Sequence, residues 1–253
     1  MKAQIEIIGS GTGDFTPAIT NFIEGNAIHF VLAFSGGADD SSPLLKHLSG
    51  MLSAEGAFDA STRDRFTALL KESKDGFVAD IIRGILGPLR GYRIAVQCGG
   101  TIWGVPKIAA QVAKEMGFHT IGVFPLVAKT KGYALGEDLL DLSVCVHPMI
   151  DKSNWGDETP VYCKLPNATI VIGGGAGTMV EISHLLKMNE AKGVAIRHIV
   201  PIFGTGGTAD KVSFFPGKPD VMAKCIPHHP VQTGEEVLHY LRTHTNIDDS
   251  FVD

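Results

Sequence analysis

The chain has 253 residues, is 44% hydrophobic and 19% charged, and carries a formal net charge of -5. That length and apolar fraction can close one full core, so residues 1–253 read as a single domain, and the acidic balance gives no electrostatic footprint for nucleic acid or anionic membrane. No apolar run is long enough to cross a bilayer and no secretory leader is expected. Cys98, Cys145, Cys163 and Cys225 lack C-x-x-C spacing and read as reduced, buried thiols of a cytoplasmic protein.

In chain order, β-rich runs fall at 4–8, 28–34, 92–97, 120–124, 142–146, 169–172 and 198–203. Helical periodicity separates several of them, the pattern of an α/β fold with a mostly parallel sheet. Residues 35–73 intervene after the second run. Gly, Ser and Asp there punctuate two short helical patterns, and a connection of that length predicts an insertion or lid, with Leu44, Leu45, Leu48 and Leu52 docking on the body. Phe77, Ile81, Ile85 and Leu89 predict one amphipathic helix, and Val105, Ile108, Val112 and Met116 another. Near the end, Thr233 and Glu236 form a capping-box pattern before an apolar helix face, and residues 244–253 read as a tail.

Four of the strands end in glycine clusters. Ser35-Gly36-Gly37, Gly99-Gly100-Thr101, Gly173-Gly174-Gly175 and Gly204-Thr205-Gly206-Gly207 would share the carboxyl edge of a parallel sheet, where such folds bind ligands. The same turns would also serve as ordinary short βα connections. The run from Ile170 to Glu181 is the most informative: a buried strand, three glycines, then a helix opening with Gly177, Thr178 and Glu181. Glycine lets the backbone approach a ligand closely, and a helix N-terminus favours an anion such as phosphate. A carboxylate so near a phosphate would face another part of the ligand. The chain has neither a convincing dinucleotide fingerprint nor a G-x-x-x-x-G-K-[ST] loop nor a G-x-S-x-G elbow, which argues against NAD dehydrogenases, P-loop NTPases and serine hydrolases. Glu181 and His184 are spaced as E-x-x-H, yet no second such pair exists to complete a carboxylate metal site, so no metal and no cofactor is expected.

Gly174, Gly175, Gly177, Thr178 and Glu181 resemble the PGG-x-GT-x-x-E signature of the Lonely Guy ("lysine decarboxylase-like") proteins of the SLOG superfamily, with Gly173 in place of the proline. Cys98-Gly99-Gly100-Thr101 through Val105 is similar to that superfamily's GG-x-x-x-G-[VL]-M element. The run from Ile121 to Pro125 is similar to its IGV-x-P strand end. The resemblance covers roughly residues 28–240 and implies a Rossmann-like three-layer α/β/α fold, a homo-oligomer and a small-molecule nucleotide or nucleoside phosphate as partner. It implies ligand contacts at Gly99, Gly100, Thr101, Pro125, Gly174, Gly175, Gly177 and Thr178, to which the shared sheet edge adds Ser35, Gly36, Gly37 and Gly206. Glu181 would be the catalytic carboxylate of an N-glycosidase acting on nucleoside 5′-monophosphates.

One departure matters. The Lonely Guy hydrolases carry an arginine ahead of the signature, and this chain has none between Arg93 and Arg197. Lys152 and Lys164 are the nearest substitutes and lack the planar fork that grips a phosphate. Around Trp155-Gly156-Asp157-Glu158 the chain instead resembles the SLOG branch related to melastatin-type TRP channels, which implies sensing of ADP-ribose-like nucleotides with Trp155 and Glu158 at the ligand. Trp155 also fits a packing anchor, with Asp157 and Glu158 opening a helix at Pro160. Two functions stay open, a sensor or carrier and a phosphoribohydrolase, and the missing arginine favours the first.

Overall fold

The computed structural model describes residues 2–8, 17–37 and 60–250. Seven strands form one sheet: β1 (Ala3–Ile8), β2 (Phe30–Gly36), β3 (Ile94–Cys98), β4 (His119–Pro125), β5 (Leu142–His147), β6 (Ala168–Ile172) and β7 (His198–Pro201). Their order is β1-β5-β4-β3-β2-β6-β7, and every neighbouring pair is parallel. All seven coincide with the predicted runs to within a few residues. The reason is physical: strands covered on both faces must be apolar throughout, and β2, β3 and β6 are buried along nearly their whole lengths.

Alternate residues of each strand feed two cores. Phe30, Leu32 and Phe34 face one layer, made by α2 (Ala60–Leu86), α3 (Gly104–Glu115) and α8 (Gly234–His244). Val31 and Ala33 face the other, made by α1 (Pro17–Gly25), α5 (Thr159–Tyr162), α6 (Ala176–Asn189) and α7 (Pro219–Cys225). A short α4 (Leu126–Thr130) follows β4. The architecture is a three-layer α/β/α sandwich. All four cysteines are free and buried within it.

Residues 60–73, the described end of the predicted insertion, depart from the predicted pattern. From Ala60 onward they belong to one 27-residue helix and not to a second short one. Leu44, Leu45, Leu48 and Leu52, the predicted docking residues, lie outside the described residues. The buried face of α2 is also rotated from the predicted one: Val78, Ile82 and Ile85 pack inward while Phe77 is 59% exposed. Phe77 and Val78 are adjacent apolar residues, and periodicity alone cannot choose between them. The capping box of α8 forms as predicted, with Thr233 accepting from the Glu236 N–H and Glu236 accepting from the Thr233 N–H at 3.0 Å. Beyond it the chain docks: Ile247 is fully buried, and Asp248 accepts from Tyr92 (3.2 Å) and Arg242 (3.1 Å).

One glycine is fixed by packing where the site lies. A Cβ on Gly36, at the end of β2, would stand 2.4 Å from the Ile172 carbonyl oxygen and 2.6 Å from Val105 Cγ2. The oxygen belongs to β6 and the side chain to α3, so neither moves freely. Gly36→Ala is therefore expected to lower stability by about 1–3 kcal/mol, the usual cost of overpacking, read as a reduced urea midpoint at unchanged m-value.

Candidate functional site

The strand order reverses at β2. The chain leaves it toward β3 on one side and returns at β6 on the other, so the carboxyl ends of β2 and β6 flank a topological switch point. Ser35 pairs in register with Val171, and Gly36 with Ile172. The turn from Gly173 to Gly175 and the first turn of α6 lie directly above.

That turn needs its glycines. Gly174 sits at φ +100, and a Cβ there would meet Thr178 Oγ1 at 2.6 Å. Gly207, at φ +61, approaches so closely that a Cβ would stand 2.2 Å from the Gly174 oxygen. The loop after β7 is stapled to the turn by the N–H groups of Thr208 and Ala209, which donate to Gly174 O (3.0 Å) and Gly173 O (2.9 Å). Thr208 Oγ1 donates to Gly175 O at 3.0 Å, and Thr205 Oγ1 accepts from the Gly173 N–H at 2.9 Å. The amides of Ala176, Gly177 and Thr178 find no acceptor among the described residues, as expected of the first turn of a helix without a side-chain cap. Thr178 is 4% exposed, and its hydroxyl, packed against Gly174, has no protein partner there either. Three N–H groups, one hydroxyl and the positive end of a 14-residue helix thus converge on one point.

Glu181 lies on the same face of α6. Ser35, 2% exposed, donates its hydroxyl to Glu181 Oε2. The short helix α5 holds this pair in place. Tyr162 donates to the Phe34 carbonyl (3.0 Å), Gln97 donates to the Tyr162 carbonyl (2.8 Å), and Cys163 donates to the Glu181 carbonyl (3.4 Å). Burial pushes the Glu181 carboxyl up to about 7; the Ser35 hydrogen bond opposes this and the charge of Glu158 adds to it. Burial also raises Glu158, against the Gly156 N–H that donates to it at 2.8 Å. Neither carboxylate has a Lys or Arg partner among the described residues.

The residues predicted for the site are distributed unevenly. Ser35, Gly36, Gly174, Gly175, Gly177, Thr178 and Glu181 gather at the switch point, with Glu158 close enough to act on Glu181. Ser35 turns its hydroxyl to Glu181, and Gly36 has no room for a side chain. Gly37 accepts from the Val105 N–H at 3.0 Å. Gly99 and Gly100 end the neighbouring strand; Gly100, at φ +60, packs against Phe124 and Gly122. Thr101 is buried with an unpartnered hydroxyl. Pro125 ends β4, one strand beyond β3, and Trp155 is 52% exposed in the turn before α5. The Gly206 N–H is already donated to Asp210 (3.1 Å), which also accepts from Gly204 (2.7 Å). Tyr162 and Asp210 carry no such signal in the sequence: one sits in an ordinary apolar run, and the other follows a glycine cluster without any spacing rule. A concavity of about 710 Å³ lies elsewhere, between α2 and α3, and is an open trough edged by Lys71, Glu72, Asp75 and Lys107. Convergent donors, not volume, mark the site.

A carboxyl raised in the folded chain destabilises the fold once it ionises. As pH rises from the ordinary value of 4.5 through about 7, the folded protein gives up the proton it held more tightly than the unfolded chain, and stability falls. Glu181→Gln removes this loss and keeps an acceptor for Ser35. Urea unfolding is expected to show the variant gaining about 1–3 kcal/mol on wild type between pH 5 and 8, and no relative change below pH 4.

A scan of protein-family models and a search of curated proteins return no match. Among solved structures, the structural-genomics target TM1055 superposes with a TM-score of 0.52 at 17% identity, over 85% of this chain and 99% of that one. The molybdenum cofactor carrier protein MCP from Chlamydomonas reinhardtii superposes with a TM-score of 0.50 at 15% identity, over 84% of this chain and 96% of that one. At these identities the likeness is one of fold alone, a Rossmann-like α/β arrangement around an all-parallel sheet.

Proposed function

We propose that the protein binds a phosphate-bearing small molecule, a nucleotide or nucleoside phosphate of the ADP-ribose-like kind, as a sensor or carrier. The observation that carries the reading is the first turn of α6. Its three unaccepted N–H groups and the Thr178 hydroxyl meet at the switch point between β2 and β6, where open α/β sheets bind their ligands. The sharing of its fold with a protein described as a cofactor carrier is in keeping with carriage. So is the missing arginine, since no cation of this chain is paired with Glu181 among the described residues.

Gly175 offers the cleanest test. Its φ of -117 lies outside the left-handed region, and a Cβ there meets nothing within 4 Å, so a side chain has open space at the mouth of the turn. Gly175→Val is expected to weaken ADP-ribose binding at least about a hundredfold in calorimetry while leaving the melting temperature within a few degrees. Unchanged affinity in the folded variant would move the site elsewhere.

A second reading is favoured by Glu181 itself. A carboxyl raised to about 7 and oriented by Ser35 suits a general acid–base role at neutral pH, as hydrolysis of an N-glycosidic bond requires. In that reading wild type releases free base from a nucleoside 5′-monophosphate, and Glu181→Gln lowers the rate by at least about a hundredfold. Chromatography of incubated AMP, GMP, CMP and UMP decides it: the absence of free base from all four leaves the binding function alone.

A further inference from the structure

Glu181 follows Thr178 by three residues and Gly177 by four, so all three share one helix face, with the β-carbons of Thr178 and Glu181 about 5–6 Å apart. Long helical side chains lean toward the N-terminus of their helix, which aims this carboxyl at the turn holding the free N–H groups. Ser35 fixes it there from β2. The other groups acting on it are Tyr162 and Cys163 at the end of α5 and Glu158 ahead of α5, with His184 three residues further along α6. None supplies a compensating cation. His184 is held neutral by burial, and the Arg197 guanidinium is turned to the Lys164 carbonyl at 2.9 Å.

An anion seated on the α6 turn would therefore stand about 6 Å from an ionised carboxylate. At an effective dielectric near 20, that repulsion is enough to weaken binding by about a hundredfold. The carboxyl has a way out that a paired carboxylate lacks, because it can take a proton. We propose that anion binding at the α6 turn is coupled to protonation of Glu181, so that the site takes up one proton from solvent with each phosphate-bearing ligand it binds. The proposal rests on the ligand reading above. The proton adds to one carboxylate oxygen, Oε2 goes on accepting from Ser35, and the new O–H donates toward the ligand. The complex keeps the net charge of ligand and protein less one negative charge.

The pH window follows from the free protein, whose Glu181 titrates at about 7. Below that value the proton is already present and binding takes up none. Above it the carboxylate must be protonated on binding, so affinity falls as pH rises, by up to about tenfold per pH unit. ADP-ribose is a suitable probe, because each of its phosphates carries one ester and the shared anhydride oxygen and so has no group that titrates near neutrality.

The experiment is calorimetric titration of ADP-ribose at about pH 6 and pH 8, each in two buffers of different ionisation enthalpy. The expected result is no buffer dependence at pH 6, uptake approaching one proton at pH 8, and roughly tenfold weaker binding at the higher pH. Glu181→Gln should bind with no proton uptake and equal affinity at both values. Binding by wild type with neither buffer dependence nor pH dependence overturns the coupling alone. A lack of ADP-ribose binding at both values overturns the coupling together with the ligand reading. The wild-type heats decide the matter even if the variant folds poorly.

Discussion

The pairing of β2 with β6 is the constraint on which the rest of the structure depends. These strands run side by side, yet the chain leaves them for opposite layers, α2 from the end of β2 and α6 from the end of β6. The crevice between their exits is a consequence of connectivity, not of any one side chain. Its floor is nearly bare backbone, because the Ile172 carbonyl and Val105 leave no room for a side chain on Gly36. One residue earlier, the alternation of the strand turns Ser35 into the opposite layer, where it meets Glu181.

Around this crevice, polar groups are fixed by short connections rather than by long helices. The four residues of α5 tie three elements together through Tyr162, Gln97 and Cys163. The loop after β7 is anchored equally firmly to the Gly174 turn, and its Gly204 and Gly206 amides donate to Asp210. The two glycine loops thus differ in kind. One presents free donors, and the other spends its donors internally to shape the wall beside them.

Most of the fold is legible in the sequence because burial on two sides writes itself into a strand as a continuous apolar run. The inner strands β2, β3 and β6 carry that mark, whereas the edge strand β1 alternates apolar with polar residues. The glycine turns are legible too, since a glycine cluster between a buried strand and a helical pattern marks a tight turn, and Gly174 leaves no room there for a side chain. What cannot be read depends on partners distant in sequence. Ser35 has the look of a ligand contact, but its hydroxyl is taken by a residue 146 positions away. Tyr162 gives no sign in an apolar run, because a buried phenol betrays its role only through the Phe34 carbonyl it meets. Phe77 misleads for a related reason: beside Val78 it satisfies the same periodicity, and only the body of the protein selects which of two adjacent apolar residues turns inward.

The four free cysteines bring a consequence of their own. Cys98, Cys145, Cys163 and Cys225 are each at most 3% exposed, distributed over strands β3 and β5, the end of α5 and the end of α7. Burial raises all four thiols, Cys98 to about 12, so the reactive thiolate is scarce and shielded wherever the chain stays folded. Alkylation can then proceed only through opening of the surrounding structure. The molecule carries four built-in timers, one of them directly beneath Glu181, that record how often each part of the core breathes.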